Sequence, residues 1–222
     1  MLHSYTRTGN YNVSRKYANQ DAVYEAHNSR YVFIALADGV SECEYADRGA
    51  YIACCAAADI MLNETERVLE FPDAKLAYLM IEHIRYTLEQ TFATSDIGPY
   101  SSTLACALVN KRTGSTVMFN LGDGAAFRVN SGRMFTEMMP KRQGGLPAQT
   151  TTSGAHRAAE VKRVSLRPGE CLMLFSDGMT DAFTRNAPVM ENVRSCDFRG
   201  IDREMETINT DDDASYIAYR YR

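Results

Sequence analysis

Histidine is scarce in this chain of 222 residues: four copies, scattered as His3, His27, His83 and His156. That scatter excludes a metal centre built on imidazole, so any metal here would be hard and oxygen-ligated. The six cysteines, Cys43, Cys54, Cys55, Cys106, Cys171 and Cys196, include no Cys-x-x-Cys pair. Cys54 and Cys55 sit side by side among alanines, which suits buried thiols and a reducing, cytoplasmic compartment. No apolar run approaches the roughly 20 residues that span a bilayer, and Met1 to Arg7 lacks the apolar stretch of a secretion signal. Basic residues gather only in pairs such as Lys141-Arg142 and Lys162-Arg163, and the net charge is -4. The expectation is therefore no nucleic-acid partner and no membrane partner. No Pro-, Gly- or Ser-rich linker and no charge block interrupts the chain, so residues 1–222 read as one domain. There is no Walker-type glycine loop and no Gly-x-Ser-x-Gly elbow.

What is present is a pattern of strands and helices in runs. Residues 3 to 37 read as short strands broken at Gly9-Asn10 and Asn28-Ser29. Residues 45 to 70 read as one long helix with Ile52, Ala56, Ile60 and Leu69 on its apolar face. A second helix starts at Pro72-Asp73 and carries Leu76, Leu79, Met80, Ile84 and Leu88 at helical spacing. Strands follow at 103–109, 117–121, 125–129, 161–164 and 171–175. The segment Pro140 to His156 reads as a mobile surface loop, 188 to 208 as short helix, and Ser215 to Tyr219 as a last strand. Runs of strands and runs of helices, without strict alternation, predict an α+β layered sandwich.

One word occurs three times: an apolar run ending in Asp-Gly. It stands as Val32 to Asp38-Gly39, Val117 to Asp123-Gly124, and Cys171 to Asp177-Gly178. A run apolar at nearly every position reads as a strand covered on both faces. Asp-Gly alone is also a common hairpin turn, and Gly122-Asp123-Gly124, with strands on both sides, is the most turn-like. Two further acidic words flank the three, Asn19-Gln20-Asp21 and Asp211-Asp212-Asp213. Carboxylates converging at strand ends repel one another strongly unless cations sit among them. Two hard cations held about 3.5–4 Å apart bridge a water, lower its pKa and neutralise phosphate oxygens during in-line attack. Such chemistry needs no protein nucleophile. Cys106 and Arg112 do fit the Cys-x5-Arg spacing of cysteine phosphatases, but the residues between them lack glycine and read as strand.

In order, Asn19-Gln20-Asp21, Ala37-Asp38-Gly39, Ser102-Thr103-Leu104, Asn120-Leu121-Gly122-Asp123, Ser176-Asp177-Gly178-Met179-Thr180-Asp181 and Asp212-Asp213-Ala214-Ser215 resemble the protein phosphatase 2C family of metal-dependent Ser/Thr phosphatases. The resemblance runs from about residue 5 to the C-terminus. It implies a four-layer α-β-β-α sandwich around a central antiparallel β-sandwich. It also implies two Mg²⁺ or Mn²⁺ ions with a weaker third, and a phosphorylated protein substrate made by a Ser/Thr kinase in signal transduction. Asp38 would bridge both metals and the Gly39 carbonyl would reach one. Asp177 and Asp212 would complete the shell of the second metal. Asp21 would act through metal-bound water, and Asp123 would hold the third ion with Asp177. The family's phosphate-binding Arg falls at Lys16, with Arg15 beside it; Lys offers a point charge but no bidentate fork.

The chain also departs from the family pattern. Asp38-Gly39 continues as Val40-Ser41-Glu42, without the usual second Gly, and Gly124-Ala125 stands where Ser-Arg is usual. A catalytically weak or inactive binding module of the same fold is therefore the alternative, and a two-metal nuclease is disfavoured by the absence of a basic groove. Asp211 and Asp213 read as solvated neighbours of Asp212, Asp181 as a brace for the turn after Asp177, and His83 and His156 as ordinary polar residues.

Overall fold

The computed structural model describes residues 1–139 and 148–222, and Pro140 to Pro147 of the expected loop lie outside the described residues. Among the described residues the strands are β1 (Leu2–Arg7), β2 (Asp21–His27), β3 (Tyr31–Asp38), β4 (Leu104–Asn110), β5 (Ser115–Leu121), β6 (Ala125–Val129), β7 (Phe135–Met139), β8 (Glu160–Ser165), β9 (Cys171–Phe175) and β10 (Ala214–Arg220). The helices are α1 (Asn10–Arg15), α2 (Ala46–Asn63), α3 (Thr65–Glu70), α4 (Asp73–Phe92), α5 (Asp177–Arg185), α6 (Ala187–Ser195) and α7 (Phe198–Thr207).

Two five-stranded antiparallel sheets result, in the orders β1-β10-β9-β6-β7 and β2-β3-β4-β5-β8. Side-chain alternation divides each strand between two cores. Phe33, Ala35 and Ala37 of β3 face the helical layer of α2 and α4, while Val32, Ile34 and Leu36 face the other sheet. Cys171, Met173 and Phe175 of β9 face the layer of α5, α6 and α7, while Leu172 and Leu174 face inward. The architecture is thus helix, sheet, sheet, helix, as the family pattern implied. Continuous apolar runs are what strands covered on both sides require.

Four details differ from the sequence reading. Residues 10–15, read as part of a strand-and-break region, form α1. Its first N–H groups, which an isolated helix leaves unsatisfied, go to distant partners: Asn10 N to the Thr210 carbonyl (2.9 Å) and Tyr11 N to the Asp211 carbonyl (3.0 Å). The long helix expected over 45–70 breaks at Glu64. There the Thr65 hydroxyl donates to the Met61 carbonyl at 2.8 Å, competing for the acceptor that a continuing ladder would use. Of the apolar face expected on this helix, Ala56 is buried, Ile52 and Ile60 are only partly buried and Leu69 of α3 is exposed; Ala50, Ala53, Cys54, Ala57 and Met61 share the buried side with Ala56. The described part of the loop expected to be mobile is anchored: Thr150 is buried, its N–H donates to the Ser102 carbonyl (2.9 Å), and Arg85 donates to the Thr151 carbonyl (2.6 Å).

The α3–α4 corner is held by one side chain of β8. Arg163 donates to the carbonyls of Val68, Leu69 and Phe71 at 2.8–3.2 Å and pairs with Asp73 at 3.0 Å. Arg163→Ala is expected to cost about 2 kcal/mol, since several charged hydrogen bonds vanish together. For a chain of this size the melting temperature then falls by about 4–8 °C. Arg163→Lys should recover only part, because an ammonium cannot reach four acceptors in one plane. A wild-type melt for the Ala variant would refute this capping role.

Candidate active site

The rim of the second sheet brings two acids face to face. Asp21 opens β2, Asp38 closes β3, and the antiparallel register sets them directly opposite one another. Like charges so placed are unfavourable, so the pair needs support. Thr103 clamps Asp38: its N–H donates to the Asp38 carbonyl (2.8 Å) and its Oγ1 accepts from the Asp38 N–H (3.0 Å). The backbone bridge then extends by one step, from Gly39 to Ser102. This explains the Ser-Thr word of the sequence.

From the first sheet, β9 runs into Ser176, and Asp177 starts α5. The turn carrying Asp212 and Asp213 crosses so closely that a Cβ on Gly178 would stand 2.2 Å from the Asp213 carbonyl oxygen, and one on Gly9 2.2 Å from the Asp212 carbonyl carbon. Only glycine permits both approaches. Gly122-Asp123-Gly124 is no hairpin: β5 lies in one sheet and β6 in the other, so Asp123 sits on a corner between them. Asn120 Nδ2 holds that corner by donating to the Gly124 carbonyl at 3.0 Å.

These five segments make one electrostatic cluster. Burial, and then the charges of Asp21, Asp177, Asp212 and Asp123, push the Asp38 carboxyl well above its ordinary range. Asp21 is pushed up to about 7, mainly by burial, with the negative Asp213 and Asp177 adding to it and the nearby Ser215 and Ser176 hydroxyls opposing it. Those hydroxyls bond elsewhere, Ser215 Oγ to Thr6 Oγ1 (2.8 Å) and Ser176 Oγ to the Asp213 carbonyl (3.4 Å). Both Asp21 carboxyl oxygens are buried with no hydrogen-bond partner. Such orphaned acceptors are costly, and a hard cation with its water shell is the kind of group that satisfies them. The donor set, all carboxylate and carbonyl oxygen, fits Mg²⁺ or Mn²⁺. Among the described residues no three acidic side chains close into a ready cage.

Asp213 corrects the sequence reading. It is not a solvated neighbour of Asp212 but a buried organiser, accepting from Gly9 N (2.7 Å), Gln20 N (2.6 Å) and Asn12 Nδ2 (2.8 Å). Asn12 was missed as well. Neither carries a local signal, because their partners lie about 200 positions away along the chain. Lys16 and Arg15 end α1. Lys16 is exposed in a left-handed conformation (φ 61°), and Arg15 is exposed with its guanidinium 3.8 Å over the Tyr11 ring. Glu42 is exposed on the turn that replaces the second Gly. Cys106 lies buried inside β4, its thiol pushed up by burial, which removes the cysteine-nucleophile reading. His156 packs edge-on against Tyr78.

Beside the cluster opens a cleft of about 360 Å³, lined by Asp177, Asp181, Arg185, Asn186, Asn209 and Asp212 among others. Lys16 and Arg15 do not line it.

A family model described as Protein phosphatase 2C matches residues 8–207. The chain belongs to the protein phosphatase 2C family. Solved phosphatase 2C-like structures agree with the fold. The serine/threonine phosphatase PstP/Ppp of Mycobacterium tuberculosis superposes with a TM-score of 0.71 at 15% identity, over 100% of this chain and 99% of that one. A bacterial serine phosphatase gives 0.66 at 16%, covering 98% and 96%. RsbX, solved in complex with magnesium, gives 0.65 at 14%, covering 98% and 92%. No curated protein matches the sequence. Among the described residues, no helix of this phosphatase 2C member is long and apolar enough to cross a membrane.

Proposed function

We propose that this chain is a single-domain, metal-dependent phosphoprotein phosphatase that hydrolyses phosphoserine or phosphothreonine. The observation that carries the reading is the convergence of Asp21, Asp123, Asp177 and Asp212 on Asp38 from five separate segments. The substrate would be the product of a Ser/Thr kinase, and the setting cytoplasmic signalling. Asp38, the Gly39 carbonyl, Asp177 and Asp212 would hold two Mg²⁺ or Mn²⁺ ions, with Asp21 in the outer shell and Asp123 with Asp177 at a weaker third. When bound, such ions supply an acidified water for in-line attack and neutralise the phosphate oxygens.

The protein's own part is positional. Thr103 fixes Asp38 by two backbone bonds. Asp213 ties the start of α1 and Gln20 to the Asp212 turn, so that Asp21 and Asp212 keep their relative places. Lys16 and Arg15 bring positive charge near the end of α1. The test is hydrolysis of an aryl phosphate with Mn²⁺, with Mg²⁺ and with chelator. Turnover only with metal is expected; turnover untouched by chelator would reject the reading. The exposed Lys16 and Glu42 favour the second reading, a phosphoprotein-binding module, which predicts binding without turnover.

Asp21 supplies a pH signature. Its folded-state value, about 7, lies above the ordinary 3.8. A group raised in this way stabilises the fold fully below about pH 4, and that contribution is lost as pH climbs through the folded value. Chelator-treated protein should therefore lose stability from this group between about pH 4 and pH 7, and added Mg²⁺ should restore more at about pH 8 than at about pH 5. Thermal melts with and without Mg²⁺ check this; equal shifts at both pH values would contradict it.

A further inference from the structure

Asp177, Asp181 and Arg185 are spaced four apart on α5, which places them in one stripe along a single helix face. All three line the same cleft, with Asp212, Asn186 and Asn209 opposite or beside them. Side chains on a helix lean toward its N-terminus. Arg185 does so here: its guanidinium reaches back one turn to pair with Asp181 at 3.2 Å. A turn is about 5.4 Å, and Asp181, which holds the guanidinium, lies one turn along α5 from Asp177.

Resting on the proposed phosphatase reading, we propose that Arg185 is a phosphate-binding residue of this site. It would take two oxygens of the substrate phosphoryl group from the α5 side of the cleft. Two observations on the cationic side of the site support it. Lys16, exposed just past α1, offers a point charge without a fork and does not line the cleft. Arg15 is stacked on Tyr11. Arg185 is the guanidinium that shares the cleft with both Asp177 and Asp212. Its present partner is easily exchanged. The Arg185 side chain is 77% exposed and the pair is an i, i+4 surface bridge, a class worth only about 0.3–0.5 kcal/mol. A bidentate bond to phosphate is charge-assisted and roughly twice as strong as a neutral one. The acids around Arg185 would repel free phosphate until divalent cations neutralise them, so the guanidinium would act only in the metal-loaded protein.

The experiment compares wild type, Arg185→Ala and Arg185→Lys in two assays. One is calorimetric titration of the Mg²⁺-loaded protein with inorganic phosphate. The other is steady-state hydrolysis of an aryl phosphate and of phosphopeptides with and without an acidic neighbour. Arg185→Ala is expected to weaken phosphate binding about tenfold and to raise KM for every substrate by a similar factor. Its kcat should change less, and Arg185→Lys should fall between. Unchanged phosphate affinity would overturn the proposal, even if turnover is normal and the phosphatase reading stands. An effect confined to peptides with an acidic neighbour would also overturn it, because Arg185 would then read a flanking carboxylate. Wild type that binds phosphate without turnover, with binding lost in Arg185→Ala, would keep Arg185 and reject the phosphatase.

Discussion

Asp38→Asn is expected to lower metal-dependent turnover by at least about a thousandfold, the equivalent of roughly 4 kcal/mol of lost transition-state stabilisation. The same change should make the chelator-treated protein more stable near neutral pH. Asp38 is half-buried and faces the charges of Asp21, Asp177, Asp212 and Asp123, all of which oppose its ionisation. A neutral amide of the same shape removes that cost. The backbone clamp from Thr103 does not involve the carboxyl and should survive. Activity down, metal-free melting temperature up and the Mg²⁺-induced shift gone is therefore the signature of a charged cation-holding residue. A purely structural aspartate would lose stability instead. Activity assays and melts with and without Mg²⁺ decide between them, and an active Asn variant would end the two-metal reading.

Asp213→Ala is the second large effect. Its carboxylate accepts three hydrogen bonds, from Gly9 N, Gln20 N and Asn12 Nδ2, and all three lie in buried surroundings. Deleting it strands those donors, for which a loss of about 3–4 kcal/mol is reasonable, or about 10 °C in melting temperature at this chain length. Turnover should fall too, although Asp213 is not placed among the cation-holding residues, because Gln20 precedes Asp21 and Asp212 precedes Asp213. Asp213→Asn, which keeps one oxygen acceptor, should lie between. A melt of Asp213→Ala within about 2 °C of wild type would show the three bonds to be incidental.

Several parts of this protein were legible in local pattern. Side-chain alternation and unbroken apolar runs marked β3, β4, β5 and β9, because a strand covered on both faces must be apolar on both faces. The spacing of Leu76, Met80, Ile84 and Leu88 marked α4. Asp38 and Asp177 were visible because each ends such a strand and is followed by a glycine. Other features had no local cause. The chain reads Gly122-Asp123-Gly124 as a turn, but β6 crosses to the other sheet, where it pairs with β7 and with β9 from farther along the chain. Residues 10–15 become helical because Thr210 and Asp211 accept their first N–H groups. Arg163 shows nothing in its surrounding sequence of the three carbonyls and one carboxylate it holds.

Local pattern was thus enough for most strands, for α4 and for the acidic words at strand ends, because those follow from side-chain period and short-range turn chemistry. Only the tertiary structure decided which carboxylates meet around Asp38, that Asp213 braces the cluster from inside, and that Arg185 shares a cleft with Asp177 and Asp212. Those outcomes depend on contacts between residues far apart in the chain, and no window of neighbouring residues encodes the pairing of two sheets.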